Sequence, residues 1–98
     1  KAQLEILAGL GNGMQAETLL ARLQADANDC EAREQLSAVY VSQGNYVAAL
    51  EQLLEIMRRD RAYNEDAGRM GLLRLFEMLG PENPLTVEYR RKMSLLLF

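Results

Sequence analysis

Apolar residues recur along this chain every three to four positions, with no sustained alternation and no long β-branched run, so helices are expected throughout. Pro81 and Pro84 are the only prolines, and both lie in Gly80-Pro81-Glu82-Asn83-Pro84, so no proline interrupts a helix before residue 80. A short segment over residues 1–10 ends in the glycine cluster at 9–13, which breaks helices. Residues 14 to about 25 follow, with Ala16, Leu19, Leu20 and Leu23 on one stripe. Asp29 is placed to cap a third helix, Glu31 suits its first turn, and Leu36, Val39 and Tyr40 face inward. That helix is expected to end at Gly44.

Asn45 caps a fourth helix reaching about residue 61, the most clearly amphipathic segment, with Tyr46, Ala49, Leu50, Leu53, Ile56 and Met57 on its apolar face. A fifth starts after Asn64-Glu65-Asp66, carries Met70, Leu72, Leu73, Phe76 and Leu79 inward, and stops at Gly80. Asn83 caps the sixth, with Pro84 at its first position and Leu85, Tyr89, Met93 and Leu96 in line. The linkers are a few residues long, so neighbouring helices should pack antiparallel. The expected fold class is all-α, five to six antiparallel helices in a short solenoid.

Composition narrows the chemistry. Ninety-eight residues, 49% apolar and 26% charged, suffice for one core and not two. Eleven Lys and Arg against 14 Asp and Glu leave a net charge of −3, which gives no general attraction to nucleic acid or anionic membrane. There is no His, which removes the usual general base and most catalytic zinc sites. The single Cys30 rules out an intrachain disulfide or a CxxC pair and fits a reducing, cytoplasmic compartment. No enzyme activity, cofactor or metal is expected. Residue 1 is Lys and no leader follows it, so the chain is expected to be cut from a longer protein.

Helix pairs at regular spacing suggest a repeat. Residues 30–61, CEAREQLSAVYVSQGNYVAALEQLLEIMRRDR, resemble a tetratricopeptide repeat, with Leu36, Tyr40, Gly44, Tyr46 and Ala49 at the motif's leucine, first tyrosine, turn glycine, second tyrosine and close-packing alanine. Arg33 stands at the motif tryptophan, Ser37 at the small residue after the leucine, Ile56 at the late small residue and Arg61 at the closing proline. The resemblance divides the chain into a partial repeat over about 1–28, the best match over 29–62 and a helix pair over 63–98.

Three later runs, LEQLLEIMRRDR at 50–61, GLLRLFEMLG at 71–80 and NPLTVEYRRKMSLLLF at 83–98, are similar to the C-terminal region of bacterial thioredoxin-like co-chaperones, the chaperedoxins. That resemblance implies an N-terminal thioredoxin-like domain ahead of residue 1, unfolded clients as partners, and a terminal helix that engages the chaperonin.

Other constellations have plainer readings. Cys30, near a helix start, is either a reactive thiol or a small packed residue. Glu31 with Glu34, and Glu51 with Glu55, suit solvated helix faces. Arg58, Arg59, Arg61, Arg69 and Arg74 form either a basic strip or ordinary surface charge, and Glu55 can pair with Arg59 four residues on. Arg90, Arg91 and Lys92 precede Leu95-Leu96-Leu97-Phe98, and a helix can turn only part of that run onto its own core. The tail therefore either packs back near Phe76 and Met78 or docks on a partner through Tyr89, Arg90, Arg91, Leu95, Leu97 and Phe98. The expected function is non-enzymatic protein–protein interaction; the alternative is a generic adaptor or a self-association module forming a homodimer.

Overall fold

A computed structural model describes residues 15–97. Among them are five helices and no strand: α1 over 15–25, α2 over Cys30–Ser42, α3 over Tyr46–Arg59, α4 over Tyr63–Leu79 and α5 over Pro84–Leu97. The expected first segment, residues 1–10, lies outside this range.

The ends of these helices follow from their capping residues. Asp29 accepts the Ala32 N–H at 3.0 Å, and this bond together with the Arg22 guanidinium holds its carboxyl below the usual carboxylate range. Asn45 caps α3 by accepting from Ala48, and Asn83 accepts from Leu85 with Pro84 between them. Gly44 (φ +77°) and Gly80 (φ +95°) make the left-handed turns after α2 and α4. The α3 helix ends at Arg59, two residues short of expectation, with the Asp60 N–H bonded to the Ile56 carbonyl.

The start of α4 is unusual. Asn64, Glu65 and Asp66 all have positive φ, between 47° and 68°, so its first turn winds left-handed before a right-handed helix sets in. Each such non-glycine residue costs about 1 kcal/mol or more. Three contacts to two partners hold the turn: the Tyr63 hydroxyl donates to Glu34 at 2.9 Å, Asn64 donates to the same carboxylate, and Asp66 pairs with Arg69 at 2.7 Å.

The α3 helix is the hub. It packs on α2, α4 and α5, and its Ala49, Leu50, Leu54 and Ile56 are completely buried. Around it gather Leu72, Leu75 and Phe76 of α4 and Tyr89 and Met93 of α5. A smaller cluster joins Leu19 of α1 to Ala32, Leu36 and Val39 of α2, with Tyr40 packed against both groups. The shortest principal extent is 20 Å, about two helix diameters, so the outer helices each keep a solvent face.

Two expectations change, one departure from the motif finds its partners, and one of two alternatives for the tail drops out. Leu20 is exposed, because α1 buries a narrow line through Ala16, Leu19 and Leu23 against one neighbour, α2. Met70 is exposed as well, since it lies roughly 200° around α4 from the buried Leu72. Arg33, at the motif tryptophan position, is buried, and its guanidinium donates to the Ala27 carbonyl and to Gln52 of α3, tying the α1–α2 loop to the hub. The α5 tail does not return to Phe76 and Met78. Arg90 covers the Phe76 ring at 5.5 Å, Met78 is exposed, and the Leu96 carbonyl at the tail accepts from Arg61 at 2.8 Å.

Close seating of α4 on α3 depends on two glycines. A Cβ at Gly68 would lie 3.0 Å from the Leu53 carbonyl oxygen and 3.1 Å from Ile56 Cγ2; one at Gly71 would meet Leu53 Cδ2 at 2.8 Å. At Gly68 the obstacle is backbone and cannot rotate away. Gly68→Ala should therefore destabilise the fold by about 1–2 kcal/mol, overpacking outweighing the gain in helix propensity. A urea melt checks this, and an unchanged or raised midpoint would contradict the packing described.

Candidate functional site

Because α3 runs antiparallel to both α2 and α4, these two lie side by side and roughly parallel, and a groove of about 650 Å³ runs between them. Glu34, Ala38 and Val41 line one wall; Ala67, Met70, Arg74 and Met78 line the other. Leu53 and Leu75 close the floor, both buried. Gly71 and the alanines keep the walls low. Met70 and Met78 stand on the rim, 41% and 58% exposed, and thioether side chains adapt to varied apolar surfaces.

Charge is uneven along this groove. Glu34, Asn64 and Glu65 gather at the end formed by the helix N-termini, while Arg74 stands further along α4. The Tyr63–Glu34 bond closes the acidic end. Burial and then Glu34 push the Tyr63 hydroxyl up to about 12, so it remains protonated and donating at any neutral pH.

The residues marked in the sequence as a docking set divide on α5. Leu95 and Leu97 are 69% and 43% exposed, and Arg90 and Arg91 are exposed beside them. Tyr89 is only 3% exposed: its ring lies in the core and its hydroxyl donates to Glu51 of α3 at 2.6 Å. It serves the docking of α5 on α3, not a surface contact. Burial and then Glu51 hold this hydroxyl well above the ordinary tyrosine value. Lys92 sits over the Tyr89 ring at 4.5 Å and pairs with Glu88 at 3.1 Å. Phe98 lies outside the described residues. The repeat positions behave as structural: Leu36 and Ala49 are fully buried, Tyr40 and Tyr46 are half-buried against the main core, and Gly44 makes the turn.

The basic strip over 58–74 is mostly engaged internally. Arg58 and Arg59 both pair with Glu55, at 2.7 and 2.9 Å, and Arg59 also donates to Asn28. Arg61 holds the α5 tail and Arg69 holds Asp66. Cys30 is buried, and burial pushes its thiol up, which favours the packed reading over the reactive one. Among the described residues no group of three or more His, Cys, Asp or Glu converges as a metal site, and no helix is long and apolar enough to cross a membrane.

The groove went unremarked in the sequence, although a signal was there. Positions 34, 38 and 41 and positions 67, 71, 74 and 78 recur at helical spacing off the core stripe, and five of these seven are small or apolar without being buried deeply.

The placement of Tyr89 carries its own test. Tyr89→Phe should cost about 1 kcal/mol, the worth of one hydrogen bond, whereas Tyr89→Ala should cost about 3–5 kcal/mol by opening a cavity. Thermal or urea unfolding reads both values, and an Ala variant of unchanged stability would put Tyr89 outside the core.

The family model for the tetratricopeptide repeat matches residues 10–98, nearly the whole chain. Searches among curated proteins and among solved structures returned no match. Paired antiparallel helices stacked through α3, a glycine turn within the pair and a close-packing alanine agree with that assignment, and repeats of this kind serve in general as protein-interaction modules. The chain belongs to the tetratricopeptide-repeat family.

Proposed function

We propose that this chain is the interaction domain of a thioredoxin-like co-chaperone, holding unfolded polypeptide in the groove between α2 and α4 and docking on the chaperonin through the end of α5. In this reading residues 29–62 form one repeat, 63–98 a second helix pair, and the redox-type domain precedes residue 1. The observation that carries the polypeptide-binding half is the open groove itself, with a buried apolar floor and two exposed methionines on its rim. The docking half draws on Leu95 and Leu97, which project from the last turns of α5 beside Arg90 and Arg91. The sequence similarity over 50–61, 71–80 and 83–98 supplies the co-chaperone context.

A self-association reading draws on a different feature. Val87, Arg91 and Leu95 follow each other at four-residue spacing along the exposed side of α5, a stripe that also suits a second copy. Concentration-dependent sedimentation without client binding would favour it.

Deleting α5 is a poor test, because Thr86, Tyr89 and Met93 would leave the core with it. Exposed substitutions separate the two halves. In the full-length protein, Leu95→Glu with Leu97→Glu should weaken chaperonin co-elution by about tenfold or more while leaving suppression of client aggregation intact. Met70→Glu with Met78→Glu should do the reverse. Two variants indistinguishable from the parent in both assays would refute the proposal.

A further inference from the structure

We infer that the α2–α4 groove takes an amphipathic helix carrying an acidic residue and, seven positions later, a basic one, lying antiparallel to α2 and α4. This rests on reading the groove as the polypeptide-binding site. Its walls are helices whose backbone groups are already bonded, and the Ser37 hydroxyl in the lining is spent on the Glu34 carbonyl at 2.7 Å. An extended segment would find no strand edge to pair with, whereas a helix satisfies its own backbone. The small side chains of Ala38 and Ala67, and the bare backbone at Gly71, let such a helix settle between the walls.

Charge fixes its direction. Glu65 and Arg74 are exposed, and neither side chain has a hydrogen bond or ion pair among the described residues. Glu34 adds negative charge beside Glu65, held there by Tyr63 and Asn64. From Glu65 to Arg74 the wall rises about 13 Å, and positions i and i+7 of a bound helix, about 10 Å apart, reach both ends through the length of a Lys and a Glu side chain. A helix best carries its acidic residue in the first turn and its basic residue in the last, where each complements the dipole. Its N-terminus then lies by Arg74 and its C-terminus by Glu34 and Glu65. Met70 meets the apolar stripe between the two charges, while Val41 and Met78 meet apolar residues at and beyond the Arg74 end.

The test uses three fluorescent peptides, each held helical by a lactam on its outer face and sharing one apolar stripe. The first has Glu then Lys seven residues on, the second has them exchanged, and the third has Gln at both. Anisotropy titration should show the first binding about fivefold tighter than the second, the scale of two exposed charge pairs. The Glu65→Lys, Arg74→Glu double variant should reverse that order, with circular dichroism confirming its fold. Equal binding of all three, or tighter binding of the exchanged peptide, overturns the polarity while leaving the groove a polypeptide site. No binding by any of them overturns the helical occupant, and the polypeptide site itself falls only if Met70→Glu with Met78→Glu also leaves suppression of client aggregation intact.

Discussion

The contact on which the rest depends is the seat of α4 against α3. Gly68 and Gly71 remove side chains where Leu53 and Ile56 press closest, so two helices meet backbone to side chain instead of side chain to side chain. That closeness brings Leu72, Leu75 and Phe76 down onto α3 and completes a core that no pair of helices could build alone. It also sets the spacing between α4 and α2. Wider seating would fill the groove with α4's own side chains or flatten it; the glycine contact leaves an apolar floor with low walls. Stability and the groove thus share one origin.

Two tyrosine–glutamate hydrogen bonds fix the angles of the outer helices. Tyr63 reaches from the first turn of α4 to Glu34 of α2, and Tyr89 reaches from the middle of α5 to Glu51 of α3. In each case an aromatic ring contributes apolar contact while its hydroxyl meets a carboxylate at the solvent boundary, where the charge keeps part of its hydration. The left-handed turn over Asn64–Asp66 exists between such anchors. Without the bonds from Tyr63 and Asn64 to Glu34, only the Asp66–Arg69 pair would remain to offset three residues of positive φ. The Arg33 guanidinium plays the matching part on the other side of α2, replacing a motif aromatic by hydrogen bonds to a loop carbonyl and to Gln52.

Much of this was legible in the residues. Caps at Asp29, Asn45 and Asn83, stops at Gly44 and Gly80, and the buried face of α3 follow from local rules that tertiary contacts do not override. Leu20 and Met70 depart from the pattern because periodicity shows that a helix has an apolar side without showing how wide a neighbour will cover. Tyr89 stands both on the apolar line of Leu85, Met93 and Leu96 and among basic surface neighbours, and its bond to Glu51, 38 residues away, decides for the core. The groove was hidden for a similar reason: it belongs to two helices that touch little and are aligned through a third. The glycines at 68 and 71 gave no sign of their role, since close approach is a property of the partner surface.

The central claim is that one groove, created by the α3–α4 contact, receives polypeptide. Amide chemical-shift mapping with a chemically unfolded, non-aggregating client tests it most directly. The account predicts that the largest shifts fall on Ala38, Val41, Ala67, Met70, Gly71 and Met78, with α1 and the convex side of α3 unmoved. Shifts confined to α5, or spread evenly over the apolar surface, would contradict it.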